Sequence, residues 1–410
     1  MQKTLVHILS GILLSSGLLL SLVQPAAAQT PGGDAAATPA DTAATIPAVT
    51  TSSNAPANQS LCLPYLDSTE NSDCLNAGPS AALTQLANSG ITFPAAPLTV
   101  VTPPYDLNNI PYSYAKVIDD AVPMYASVED AVAGNVKEMM PLGKFKYVSL
   151  MQKETGSDGV TYYQIANQDW ISSAVINRVS ATYFQGDLIK SAPSVTFAWV
   201  VQSQVPSYTA PGYNSPKTGK LYNRQDVVRC YGSEELDNME WVRIGPNEWI
   251  EHRFIGRVIN SPTPPDGVTN GRWIEVNLYE QVLTVYDNNQ MVFATLISSG
   301  GKPFYTKPGT FQIYRKVDFE YMTGAFEADR SDYYYIEQVP YIMYFDEARA
   351  LHGAYWNNYL GNPGSHGCVN LSVADAHWLY DWANEGDTVY VWDPSGQTPT
   401  DPSLYGSGAF

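Results

Sequence analysis

The chain has 410 residues, a formal net charge of −18 and 44% apolar residues. Its length suggests two to four domains, and its apolar content suffices to build their cores. The acidic balance excludes a nucleic-acid binder, which needs a basic face to meet phosphates, and it excludes electrostatic docking to anionic lipid.

Residues 1–28 read as a signal peptide. Lys3 supplies the positive start, Leu5 to Val23 the apolar stretch, and Pro25-Ala26-Ala27-Ala28 an A-x-A cleavage pattern before Gln29. The apolar run is short for a membrane helix and contains Gly and Ser, so no stable membrane span is expected after processing. The expected location is the cell wall, the periplasm or the extracellular space. Residues 29–60, rich in Ala, Thr and Pro, cannot bury enough surface to offset ordering and read as a disordered linker. Residues 61–111 read as an irregular segment. Turn residues between Cys62 and Cys74 fit a local disulfide loop, which export permits. Connectivity stays open: Cys230 is either unpaired or bonded to one of those two.

A repeat follows. YAKVIDDAVPMY from Tyr114 aligns with FAWVVQSQVPSY from Phe197, and YYQIANQDWISSAVINRV from Tyr162 aligns with WVRIGPNEWIEHRFIGRV from Trp241. The offset is 83 residues at the front and 79 at the back, so one copy has lost a loop. β-branched and aromatic runs broken by Gly, Pro, Asn and Asp make each copy, 112–180 and 194–260, a small β unit. The two are read as separate modules, either spacers or binding units.

After the linker SPTPPDG the pattern of residues 271–394 sharpens. Ile274, Val276 and Leu278 alternate with polar residues. Two strand-like runs flank the hairpin signal Asp287-Asn288-Asn289. Further strands are expected in KPGTFQIYRK, VPYIMYF and DTVYVW. One helix is expected, with Ser372 as N-cap, Ala376, Leu379, Tyr380 and Ala383 on one face, and Gly386 closing it. Residues 395–410 form a tail. The fold class is therefore mostly β, with one main helix in the C-terminal domain after two small β domains.

The loop LHGAYWNNYLGNPGSHGCVNL, Leu351 to Leu371, carries the chemistry. Cys368 reads as a nucleophile, since a free exported thiol needs a reason. A helix N-terminus four residues on and a nearby imidazole would favour the thiolate. His352 would be its base if the fold brings the two together. Amides of His366, Gly367 and Cys368 would form an oxyanion hole. A zinc site on His352, His366 and Cys368 has no common ligand spacing, so neither metal nor cofactor is expected. A cysteine hydrolase of the NlpC/P60 kind would place its His after the Cys, the reverse of the order here.

Ser365-His366-Gly367-Cys368-Val369-Asn370, with His352-Gly353 upstream, resembles the catalytic signature of the L,D-transpeptidase (YkuD) family. SSGG at 298–301, TKPGTF at 306–311 and GDTVYVW extend the resemblance over about 271–394. The Gln-Asp-Trp-Ile and Asn-Glu-Trp-Ile ends of the two copies resemble bacterial SH3-like repeats found beside cell-wall enzymes, which implies wall glycan or peptide as their ligand if they are not spacers. The first resemblance implies Cys368 as nucleophile, His352 as base and then acid, and the Gly353 carbonyl orienting the imidazole. It implies that Ser365, Asn370 and Trp356 shape the loop or touch the substrate. Its departures are Lys307 within the usual Thr-Pro pair and Asn370 where many relatives have Arg. The implied function is 3→3 cross-linking of peptidoglycan stem peptides through a Cys thioester. Trimming by an L,D-carboxypeptidase, or a non-catalytic wall-binding protein, are the alternatives.

Overall fold

A computed structural model describes residues 79–143, 145–325 and 333–405. The signal peptide, the Ala/Thr/Pro linker and the Cys62–Cys74 pair lie outside these residues. No helix among the described residues is long and apolar enough to cross a membrane.

Two sheets and a helix enclose the C-terminal core. Trp273–Asn277 pairs antiparallel with Val282–Asp287 and parallel with Thr388–Trp392. Val282–Asp287 turns into Gln290–Leu296 through Asn288 and Asn289, both with positive φ. That is the conformation a two-residue I′ hairpin demands, and Asn tolerates it. The second sheet contains Tyr334–Asp346, Arg349–Gly353 and Val369–Leu371. Between the sheets, and against the helix Val373–Trp382, lie Ile274, Val276, Phe293, Leu351, Val369 and Leu379. Ser372 caps the helix by accepting from the Asp375 amide at 3.1 Å. The helix ends at Trp382, one residue short of the expected face, while Gly386 sits in the following turn at φ +93°.

The alternation in RWIEVNL predicts one wet face. The structure buries both. The face of Trp273 packs on Phe197, Trp199 and Val258 of the second copy. Glu275, on that same face, is held by the indole N–H groups of Trp392 at 3.0 Å and Trp273 at 3.5 Å. Burial pushes its carboxyl up to about 7.

The two copies have the same strand pairing. In the first, Ser113–Val117 pairs antiparallel with Ile176–Val179, Tyr114 opposite Val179 and Val117 opposite Ile176. In the second, Phe197–Val200 pairs with Ile255–Val258, Phe197 opposite Val258 and Val200 opposite Ile255. The aligned pairs Ala115 and Ala198, and Ile171 and Ile250, are buried in both. A short 3-10 turn precedes the last strand in each, at Ser173–Val175 and His252–Phe254.

The separate-module expectation needs correction. Phe145–Leu150 of the first copy pairs parallel with the C-terminal strand Tyr334–Asp346, Phe145 opposite Tyr334 and Tyr147 opposite Ile336. One sheet thus runs from the Cys368 strand into the first copy. Glu337 fastens the joint. Its carboxylate accepts from the Ser149 amide at 2.8 Å, the Ser149 hydroxyl at 3.0 Å, the Ala166 amide at 3.1 Å and the Tyr335 hydroxyl at 2.8 Å. The second copy is tied in by charge. His252 Nε2 lies 2.9 Å from Glu280, and Arg257 bridges Glu280 at 2.7 Å and Glu240.

The irregular reading of 61–111 also needs correction in its described part. Pro79–Asn88 is a helix whose Ala82 and Leu86, four apart, are buried. Val100–Val101 pairs with Asp187–Ile189 at the edge of the first sheet. A second short helix, Val128–Ala133, lies inside the first copy, capped by Ser127 and closed by Gly134. The tail folds back too, burying Tyr405.

Glu337→Ala leaves the buried Ser149 amide and the half-buried Ala166 amide without their acceptor, so it should destabilise the protein by roughly 3 kcal/mol in urea unfolding. Glu337→Gln keeps an acceptor oxygen and should cost clearly less. Equal midpoints for the two variants would mean that Glu337 does not act as the acceptor at this joint.

Candidate functional site

Strand register brings the loop's two reactive groups together. Arg349–Gly353 and Val369–Leu371 run parallel, with Leu351 opposite Val369 and His352 opposite Asn370. Continuing the same offset sets Cys368 opposite Ala350. In a strand, residues two apart share a face. Cys368 and His352 are therefore diagonal neighbours on one face of adjacent strands, and both line a single cavity of about 310 Å³.

His352 is buried, and its Nδ1 lies 3.1 Å from the Gly353 carbonyl. A carbonyl only accepts, so Nδ1 carries the proton and Nε2 keeps its lone pair. Burial pushes the imidazole down to about 4, against the pull of that carbonyl. Cys368 is half-buried, its Sγ 3.7 Å from the Ala348 carbonyl. Burial pushes the thiol up, opposed by the Ala350 backbone and by the charge of Arg349. Both shifts favour the uncharged forms, against the expected thiolate, and the helix explains part of the difference. Strand Val369–Leu371 intervenes, so four steps of extended chain, roughly 13 Å, separate Cys368 from the cap Ser372. The helix dipole fades within its first turn.

The rest of the SHGC loop is braced from inside. Ser365 Oγ accepts from the Gly367 amide at 3.1 Å and donates to the Cys368 carbonyl. The Gly367 amide, expected in the oxyanion hole, is therefore committed to Ser365. Gly367 sits at φ +111°, which disfavours any side chain, and its carbonyl accepts from Thr306 Oγ1 at 2.9 Å. Thr306 also accepts from the Gly300 amide at 2.8 Å, tying TKPGTF, SSGG and SHGC into one knot. Asn370 is buried and exchanges backbone bonds with Ser298, 2.9 Å each way. The His366 ring lies among Phe304 at 4.8 Å, Tyr334 at 5.7 Å and Phe145 at 6.2 Å. Trp356 lines the cavity with its ring 5.7 Å from that of His352.

Arg349 was not singled out from the sequence. It is buried, paired with Asp346 at 2.9 Å and donating to the Tyr405 carbonyl. It borders the cavity, and its positive charge acts on Cys368. A signal existed: a lone Arg three residues before His352, in an otherwise apolar strand, needs a buried partner. Phe145 and Tyr147 also line the cavity, although they belong to the first copy. Their signal is the alternation in FKYVS, which sets two aromatic rings on one face. Cys230 is a buried free thiol in the second copy, pushed up to about 12 by burial, and plays no part here.

Residues 271–391 match the family model of the YkuD L,D-transpeptidase catalytic domain. The chain is 24% identical over 153 residues to the Bacillus subtilis (strain 168) protein named "Putative L,D-transpeptidase YciB", covering 31% of this chain and 69% of that one. Among solved structures it is similar to an L,D-transpeptidase (Yku) from Stackebrandtia nassauensis, at 29% identity and a TM-score of 0.26. That match covers 32% of this chain and 59% of the other. It is also similar to the catalytic domain of an E. faecium L,D-transpeptidase acylated by ertapenem, at 26% identity and a TM-score of 0.28, covering 31% of this chain and all of that one. Residues 271–391 are thus similar to YkuD L,D-transpeptidase catalytic domains, and that match does not extend over the rest of the chain.

Proposed function

We propose that the protein is an exported cysteine acyltransferase that forms 3→3 cross-links between peptidoglycan stem peptides. The observation that carries this reading is the parallel register that sets Cys368 diagonal to a neutral, tautomer-fixed His352 in one cavity. Cys368 Sγ attacks the carbonyl joining the third stem residue to a terminal D-Ala, and the thiol proton passes to His352 Nε2. The tetrahedral oxyanion leans on the Cys368 amide, because the Gly367 amide is held by Ser365. On collapse, the C–N bond breaks, His352 returns the proton to the departing D-Ala amine, and a thioester remains. A side-chain amine of a second stem then attacks the thioester carbonyl, His352 takes the amine proton, the C–S bond breaks as the new amide forms, and His352 returns the proton to the departing Cys368 sulfur. Water in that role would make the product a trimmed stem, which is the carboxypeptidase outcome. The signal peptide fits a substrate found outside the membrane, and the two SH3-like copies would hold the enzyme against the wall polymer.

The resting pair needs no preformed ion pair, since general-base transfer accompanies attack. Replacing His352 with Ala should slow acylation by about 10²–10⁴, and Cys368→Ala should abolish it. Both are read by mass analysis of muropeptides after incubation with the purified protein. Undiminished cross-linked or trimmed product from Cys368→Ala would refute the assignment.

The charge state is tested separately. Below its pKa a thiol is protonated, and burial raises the pKa of Cys368. The ultraviolet difference spectrum between wild type and Cys368→Ala should therefore lack thiolate absorbance at pH 7. Absorbance should grow in only above the ordinary thiol range, near ~8.5. The imidazole should stay neutral down to about pH 4, so acylation should hold across neutral pH and fall as that value is approached. A full thiolate signal at pH 7 would contradict the neutral pair.

A further inference from the structure

We propose that the first β copy is part of the catalytic site, with Phe145 and Tyr147 forming an apolar wall that binds the acyl-donor peptide. The inference rests on the acyl-transfer reading above and deepens it, because that reading names the reacting groups but not the surface that holds the donor. Both side chains line the cavity that holds Cys368 and His352. They do so because their strand pairs with Tyr334–Asp346, and Phe145 and Tyr147, two apart, project to one face.

The wall is continuous with the base. Tyr147 lies 6.0 Å from Trp356, and Phe145 stands edge-on to Trp356 at 6.4 Å. Trp356 in turn lies 5.7 Å from His352. Met322 and Ile336 extend the same apolar lining. Such a surface binds by burying methyl groups and the flat faces of peptide units. The class of ligand it suits is the uncharged, Ala-containing part of a short extended peptide.

The wall is also held in place, which a spacer would not require. Beside the Glu337 bonds, Tyr114 of the first copy stacks on Tyr355 with ring centroids 3.5 Å apart. The Tyr114 hydroxyl donates to the Gln338 carbonyl at 2.9 Å, and the Tyr355 hydroxyl donates to the Glu337 carbonyl at 2.8 Å. Tyr355 and Trp356 are consecutive, so the contact that anchors the first copy also seats the indole beside His352. The second copy does something different with the same positions. Phe197, aligned with Tyr114, packs with Trp199 against Trp273 and Leu296, away from this cavity. Two related copies have therefore taken distinct positions, and only the first reaches the reacting groups.

The test uses the full chain with Phe145→Ala and Tyr147→Ala, each checked for wild-type thermal unfolding. Phe145→Leu, which keeps most of the apolar volume without the ring, covers the case of an Ala variant that fails to fold. Two rates are read: turnover of a stem tetrapeptide, split into KM and kcat, and alkylation of Cys368 by iodoacetamide. The expected result is a KM raised about tenfold in the Ala variants, the larger part of the loss lying in KM. Phe145→Leu should raise KM by a smaller factor, and alkylation should stay within about twofold of wild type. An unchanged KM in folded variants overturns the inference. A parallel fall in alkylation also overturns it, because it would mean that the rings merely support the loop. A wild-type protein that alkylates yet leaves the tetrapeptide untouched removes the acyl-transfer reading itself, and this inference with it.

Discussion

The pairing of two short parallel strands carries everything else. Arg349–Gly353 and Val369–Leu371 are separated by a loop of fifteen residues in sequence, yet they lie side by side in register. Because side chains alternate with period two, a slip of one residue would turn Cys368 to the opposite face from His352. The surroundings guard against that slip. Leu351 and Val369 are buried in the core between the sheets, Ser298 bonds Asn370 from the other side, and Thr306 holds the carbonyl of Gly367. The apolar face of the same two strands thus sets where the reactive face points.

Burial sets the chemistry as much as proximity does. A wall of protein around an imidazole disfavours its cation, and the same wall around a thiol disfavours its anion. Both shifts push toward a neutral pair. The Gly353 carbonyl selects the tautomer of the imidazole, leaving Nε2 with its lone pair. Arg349 adds a positive charge near the sulfur, but Asp346 and the Tyr405 carbonyl share that charge. The folded-back tail thus takes part in positioning the guanidinium.

Much of this was legible in the residues. The Asp287-Asn288-Asn289 hairpin and the Ser372 cap each have a local cause, a positive φ or an orphan amide, and the structure contains both. The spacing of SHGC behind His352-Gly353 led to the same cavity by motif rather than by physics. What could not be read were the contacts between distant segments. Nothing near Glu337 in the chain announces Ser149 and Ala166 as its donors. The buried Glu275 looked like a solvent-facing residue because strand alternation cannot tell water from a second domain. The commitment of the Gly367 amide to Ser365 follows from a tight local turn that the glycine permits but does not dictate. The helix dipole was overestimated because four residues count as one helical turn or as a stretch of strand, and only the fold decides which.

The central claim is that the sulfur of Cys368 takes the acyl group. The direct measurement is peptide mass mapping of the protein quenched in acid after brief exposure to a stem tetrapeptide. The account predicts the mass of the donor less its terminal D-Ala, on the peptide containing Cys368, removed by hydroxylamine and formed about 10²–10⁴ more slowly when His352 is replaced. A stem product formed with Cys368 never modified, or the adduct found on another residue, would contradict it.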